Sequence, residues 1–183
     1  MKKYVKLLLS SLVFIALCYS AFASERYQAQ VADMIAAGFA DMLAKYVALA
    51  DWELAAAIVD EPYSAQIAQR MRRALLDCAA CAREIGQRSA AGIEKLMAGL
   101  LESGRCMAEA GNSRPASGSE HLPSHFWEMR LLQERRPPIL HGARVAIGTL
   151  LAASRYEAIR RLTQQDAVTR LARARPPDRE LEL

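Results

Sequence analysis

Residues 26–60, RYQAQVADMIAAGFADMLAKYVALADWELAAAIVD, decide the fold. Ala32, Ile35, Ala36, Phe39, Leu43, Tyr46, Val47 and Ala50 recur at steps of three and four, the period of one helix face. Good helix formers fill the intervals, and no β-branched run interrupts them. Asp60-Glu61-Pro62 ends the pattern. A second helix is predicted over 63–85, with Ile67, Met71, Leu75 and Cys78 on one stripe. A third is predicted over 89–110, with Ile93, Leu96, Met97, Leu100 and Leu101 facing inward and Gly104 loosening its end. Turn formers fill 111–118, GNSRPASG. Ser119 then reads as the N-cap of a fourth helix running to about Gln133, with Pro123 in its first turn, where a missing N–H costs little. Arg135-Arg136-Pro137-Pro138 breaks the chain again, and a fifth helix runs from near His141 to about Thr163. The sequence carries no strand pattern, internal repeat, P-loop or glycine-rich dinucleotide fingerprint. The expected class is all-α, a bundle of about five helices.

Composition narrows the function. The chain is 52% hydrophobic and 24% charged, with a formal charge of +4. Lys2, Lys3 and Lys6 supply three of those charges, so the rest is close to neutral and has no basic face of the kind nucleic acid needs. The same three lysines open a basic segment. An uncharged apolar run follows, and then Ala21-Phe22-Ala23, a small-x-small cleavage pattern. Residues 1–23 therefore read as a secretory signal peptide, which would place the protein outside the cytoplasm and touch the membrane only if uncleaved. Residues 24–172 form the expected helical domain, and 173–183, charged and containing Pro176-Pro177, a loose tail. Cys78, Cys81 and Cys106 are odd in number once the leader is removed, which fits no simple disulfide framework. Cys78-Ala-Ala-Cys81 lies in an alanine-rich helix, so its thiols are expected to be buried small residues.

All three histidines fall in one short span. In 118-GSEHLPSHFWEM-129, His121 and His125 are four residues apart and share a helix face; His141 opens the next helix after the Pro-Pro turn. Spacing alone leaves two readings open. Three imidazoles could converge on a divalent metal, zinc, iron or nickel, which such ligands suit alike. Or they could be one buried, one surface and one helix-start histidine with no shared task.

Three stretches together, 36-AAGFADMLAKYVALADWELA-55, 112-NSRPASGSEHLPSHFWEM-129 and 140-LHGARVAIGTL-150, resemble the glycerol-1-phosphate dehydrogenase family, within the wider superfamily of metal-dependent polyol dehydrogenases and dehydroquinate synthases. The resemblance covers residues 34–160 and implies the helical C-terminal domain of that fold, truncated at both ends. It implies Asp41, His121 and His141 as ligands of a divalent metal, most often zinc. It implies His125, and Asp41 as well, as substrate contacts, with His125 in the proton relay. The implied activity is NAD(P)-dependent interconversion of dihydroxyacetone phosphate and glycerol 1-phosphate, the metal polarising the substrate oxygen and nicotinamide carrying hydride. No residue here is assigned to cofactor binding: the family's nucleotide-binding domain is expected to be absent, so turnover would need a separate nucleotide-binding partner. The uncovered face is expected to cause self-association. Arg114 could help hold a phosphate through a two-pronged bond. Lys45 is expected to pair with a carboxylate, Glu120 to be a surface or outer partner of the metal ligands, and Asp51 and Trp52 to serve packing or a helix end. The alternative class is a non-catalytic, exported helical metal-binding protein derived from the same family.

Overall fold

A computed structural model describes residues 13–15, 17–18, 20 and 24–174. Most of the leader-like segment and the end of the tail lie outside these residues. The described chain is all-α. Its helices are α1 (Glu25–Val59), α2 (Ala65–Ala80), α3 (Ala82–Gly86), α4 (Ala90–Ala110), α5 (His121–Gln133), α6 (His141–Arg160) and α7 (Gln164–Ala174). Among the described residues no helix is long and apolar enough to cross a membrane.

Local chemistry fixes most of the ends. Ser24, Ser64 and Ser89 each cap a helix, the side chain accepting from the backbone N–H three residues on. Asp60 stops α1 in the left-handed conformation, and Gly111 does the same for α4. The helix expected over 63–85 is broken at Cys81, which ends α2 and opens the single turn of α3. Gly104 does not loosen α4, which continues through it to Ala110. Ser119 is not the cap of α5. Its N–H is taken by Asp51, and the helix begins at His121 with no side-chain cap. The fifth helix ends at Arg160, and α7 follows. Thr163 and Asp166 open α7 by a reciprocal pair of side-chain-to-backbone bonds, a capping box.

Helix α1 is the axis of the bundle. It packs against α2, α3 and α4 on one side and α6 on the other, and α5 packs on α6. Because it is surrounded, its burial is wider than a stripe: Met42, Ala44, Lys45, Val47, Ala48, Leu49 and Trp52 are all buried, whereas Tyr46, expected inward, is exposed. One core cluster joins Leu49 and Trp52 to Ile67, Ala68, Met71, Cys106 and Ala116. A second joins Met42 to Cys78, Ile85 and Leu96. Trp52 Nε1 donates to the Pro62 carbonyl at 2.9 Å, so the ring both fills the core and fixes the first turn.

The stripe expected on α4 is rotated. Met97 and Leu101 are exposed, and the buried line is Gly92, Leu96, Gly99, Ser103 and Cys106. Small residues win this face because the helices approach closely. A Cβ at Gly99 would lie 2.4 Å from the Cys78 sulfur. Cys78 and Cys106 are fully buried, as free thiols. Burial pushes both thiols up, so they act as packing groups rather than nucleophiles.

Met71 is fully buried in the first cluster. Met71→Ala is expected to destabilise the fold by about 2–5 kcal/mol, read as a lower midpoint in urea with an unchanged slope.

Candidate metal centre

The centre lies where α1, α5 and α6 meet. Gly142 brings α6 onto α1: a Cβ there would sit 1.9 Å from the Ala37 carbonyl oxygen. Gly148 does the same against the turn before α5, where a Cβ would sit 2.0 Å from the Glu120 carbonyl oxygen. Arg144, buried, donates to the Ile139 carbonyl and bonds Glu128 at 2.9 Å, pinning the segment that delivers His141. The Pro-Pro turn thus does fold His141 back onto Asp41.

Asp41 Oδ1 faces His121 Nε2 at 3.5 Å and His141 Nε2 at 3.8 Å. All three donor atoms lie within 4.8 Å of one another. Oδ1 is buried and has no hydrogen-bond partner. The distances to it are too long for good hydrogen bonds. They are close to those of donors around one ion: bonds of about 2.0–2.2 Å at tetrahedral angles place ligand atoms roughly 3.3–3.6 Å apart, a range that holds the His121 distance and that the His141 distance slightly exceeds. An orphaned carboxylate oxygen facing two imidazole nitrogens is what a divalent cation would satisfy, so the residues fit such a group.

The other Asp41 oxygen is engaged. Lys45 Nζ, almost fully buried one turn along α1, bonds Oδ2 at 2.8 Å. This leaves Oδ1 alone for a cation. Burial by itself would raise the Asp41 carboxyl, but His121 and Lys45 outweigh it and hold the group at about 2. Burial likewise opposes charge on His121; the Asp41 and Glu120 carboxylates override it and push the imidazole up. For His141 burial prevails against the attraction of Asp41, and the imidazole is pushed down.

His125 stands a step further out. Its ring centroid lies 5.8 Å from that of His121 and 6.0 Å from that of His141, and its side chain is exposed. His121 is buried and His141 is half open to solvent, so the triangle is closed toward α1 and open on the His125 side. His125 and Leu122 there join Ser117, Gly118, Ser119 and the end of α1 in lining an open groove. Arg114 reaches the same groove, but both prongs of its guanidinium are bonded to Glu61, and that occupies the fork a phosphate would take.

Three neighbours of the centre carry more than their sequence positions suggested. Glu120 is fully buried and lies 2.6 Å from His121 Nδ1. Asp51 accepts from the Ser119 N–H and from the Tyr156 hydroxyl. Burial and the bond to Asp51 push the Tyr156 phenol up. Tyr156 carried no signal in sequence, because its partner is 105 positions away.

Proton competition gives this centre a pH signature. A metal takes imidazole only in its neutral form. His121 is pushed above the ordinary value of 6.5 and His141 below it, while Asp41 is ionised well below both. Affinity should therefore be flat at high pH. It should weaken by about tenfold per pH unit once His121 protonates, starting above 6.5, and more steeply once His141 follows. Zinc titrations from pH 5 to 9 measure both limbs.

Over 142 residues the chain is 42% identical to the glycerol-1-phosphate dehydrogenase (NAD(P)+) of Bacillus subtilis, a stretch that is 78% of this chain and 35% of that protein. The chain is homologous to the glycerol-1-phosphate dehydrogenases. The enzyme of that name from Geobacillus stearothermophilus is 42% identical over 127 residues, 69% of this chain and 31% of its own length. That of Korarchaeum cryptofilum is 41% identical over 116 residues, 63% and 37% respectively. No protein-family model matches the chain. The chain thus spans about a third of the length of the glycerol-1-phosphate dehydrogenases it matches.

Proposed function

We propose that this chain is the metal- and substrate-holding part of an NAD(P)-dependent glycerol-1-phosphate dehydrogenase. The observation that carries the reading is the buried, unpartnered Asp41 Oδ1 facing the Nε2 atoms of His121 and His141. A divalent cation held there, zinc before iron or nickel, would supply Lewis acidity to a substrate oxygen. Asp41, His121 and His141 bind it. Lys45 keeps Asp41 single-pronged and balances its charge. His125, on the open side, meets the polyol phosphate and takes or returns the proton of its hydroxyl at a ring nitrogen. Nicotinamide would be held by residues beyond this helical unit, in the same protein or a partner.

The test is a chimera in which this chain's aligned residues replace those of the Bacillus subtilis relative. Dihydroxyacetone-phosphate-dependent oxidation of NADH or NADPH is the expected result, falling at least about a hundredfold in His125→Ala. A folded, metal-loaded chimera without that activity would overturn the reading.

Two further proposals concern the chain's surroundings. Leu122, Phe126 and Met129 form an exposed line on α5 beside the open side of the centre, and Leu54 and Ile58 of α1 are exposed across the groove. We take this face as the seat of a nucleotide-binding unit, with self-association in its absence. Sedimentation should show a mass that rises with concentration. The second reading, an exported metal-binding protein without turnover, rests on the leader pattern over residues 1–23. An intact Met1 on protein recovered from the cytoplasm would refute it.

A further inference from the structure

The turn that carries His121 is held from two sides. Glu120 is fully buried, and its Oε1 accepts from the Gly118 N–H at 2.8 Å and meets His121 Nδ1 at 2.6 Å. Asp51 on α1 accepts the Ser119 N–H with one oxygen and the Tyr156 hydroxyl with the other, fixing the same turn to α1 and α6 at once. The Glu120 carbonyl packs closely on Gly148, where a Cβ would lie 2.0 Å from its oxygen.

We propose that Glu120 is a positioning residue of the metal centre. A carboxylate accepts and does not donate, so His121 Nδ1 must carry the proton of the neutral ring. The lone pair is then on Nε2, the atom that faces Asp41. Without an acceptor at Nδ1 the ring could take either tautomer and could turn, and one tautomer presents N–H to the cation. The negative charge also raises the basicity of the imidazole as a ligand. Asp51 and Tyr156 act one step further back, by holding the turn on which Glu120 and His121 are neighbours. The inference rests on the reading of Asp41, His121 and His141 as metal ligands.

The test titrates zinc, and cobalt as a spectroscopic probe, into the full chain and its Glu120→Gln and Glu120→Ala variants. Thermal unfolding of each apo protein is recorded alongside. Glutamine keeps the acceptor for Gly118 and His121 but loses the charge; alanine loses both. Zinc affinity is expected to fall roughly tenfold in Glu120→Gln and roughly a hundredfold in Glu120→Ala. The cobalt absorption bands should shift in Glu120→Ala, and the apo unfolding midpoint of Glu120→Gln should stay at the wild-type value. If Glu120→Ala fails to fold, the glutamine variant alone decides. Wild-type affinity in Glu120→Gln together with unshifted cobalt bands in any folded variant would overturn the inference and leave the metal centre standing. A loss of affinity matched by a loss of apo stability in Glu120→Gln would reduce Glu120 to a packing role and also overturn it. No metal bound by the wild-type chain would remove the metal centre and this inference together.

Discussion

His121→Ala should weaken zinc binding by at least about a hundredfold. Apparent binding free energies of about 10–16 kcal/mol for four-ligand zinc sites imply about 2.5–4 kcal/mol per ligand, or roughly two to three decades in affinity. His121 sits at the middle of the site. Its Nε2 is 3.5 Å from Asp41 Oδ1, and its ring is 5.2 Å from that of His141, centroid to centroid. Asp41→Ala should match it for a second reason: it removes the carboxylate that faces the two Nε2 atoms and leaves Lys45 buried without its partner. That variant should therefore lose stability as well as metal, because a buried cation left alone is costly. His125→Ala is the contrast. Its ring lies outside the donor triangle, so metal affinity should change by less than about threefold while the chimera loses turnover. Isothermal titration with zinc separates the three. Equal affinities across the set would contradict the geometry.

Gly142→Ala should cost about 3 kcal/mol or more, a large effect for the addition of one methyl group. The Cβ would meet the Ala37 oxygen at 1.9 Å, the Ala37 carbonyl carbon at 2.5 Å and the Ala37 Cα at 3.0 Å. All three are backbone, so no side chain can swing aside; α6 must move off α1. His141 precedes Gly142 and Asp41 follows Ala37 by one helical turn, so the same movement opens the site. Stability and metal affinity should fall together in this variant. Gly86→Ala is the control, because a Cβ there meets nothing within 4 Å. Urea melts of the two variants, with and without zinc, give both quantities.

The parts of this protein that the sequence displays are those set by short-range period and residue type. The line Ile67, Met71, Leu75 and Cys78 on α2 is buried as its spacing predicts. The breaks at Pro62 and at Pro137-Pro138 fall where proline forbids a helix. His121 and His125 are legible as a same-face pair and His141 as a third imidazole beyond the Pro-Pro turn; Asp41, which no spacing rule links to them, comes from the resemblance carried by GFADMLAK. What escaped depends on packing between distant helices. The inward face of α4 follows Gly92, Gly99 and Ser103 rather than Met97 and Leu101, because close approach outweighs side-chain apolarity there. Glu120, expected as a surface or outer partner of the metal ligands, is fully buried, and only the fold shows its carboxylate 2.6 Å from His121 Nδ1. Asp51, read as packing or a helix end, turns out to hold Ser119 and Tyr156 together across three elements.

The most direct measurement is zinc X-ray absorption spectroscopy on the full chain loaded with one equivalent of metal. Two imidazoles and light oxygen or nitrogen scatterers at about 2.0–2.2 Å are expected, with no sulfur, and with loss of one imidazole in His121→Ala. A sulfur shell at about 2.3 Å would move the metal to Cys78 and Cys81, and a spectrum unchanged in His121→Ala would place it elsewhere; either would contradict the centre described for Asp41, His121 and His141.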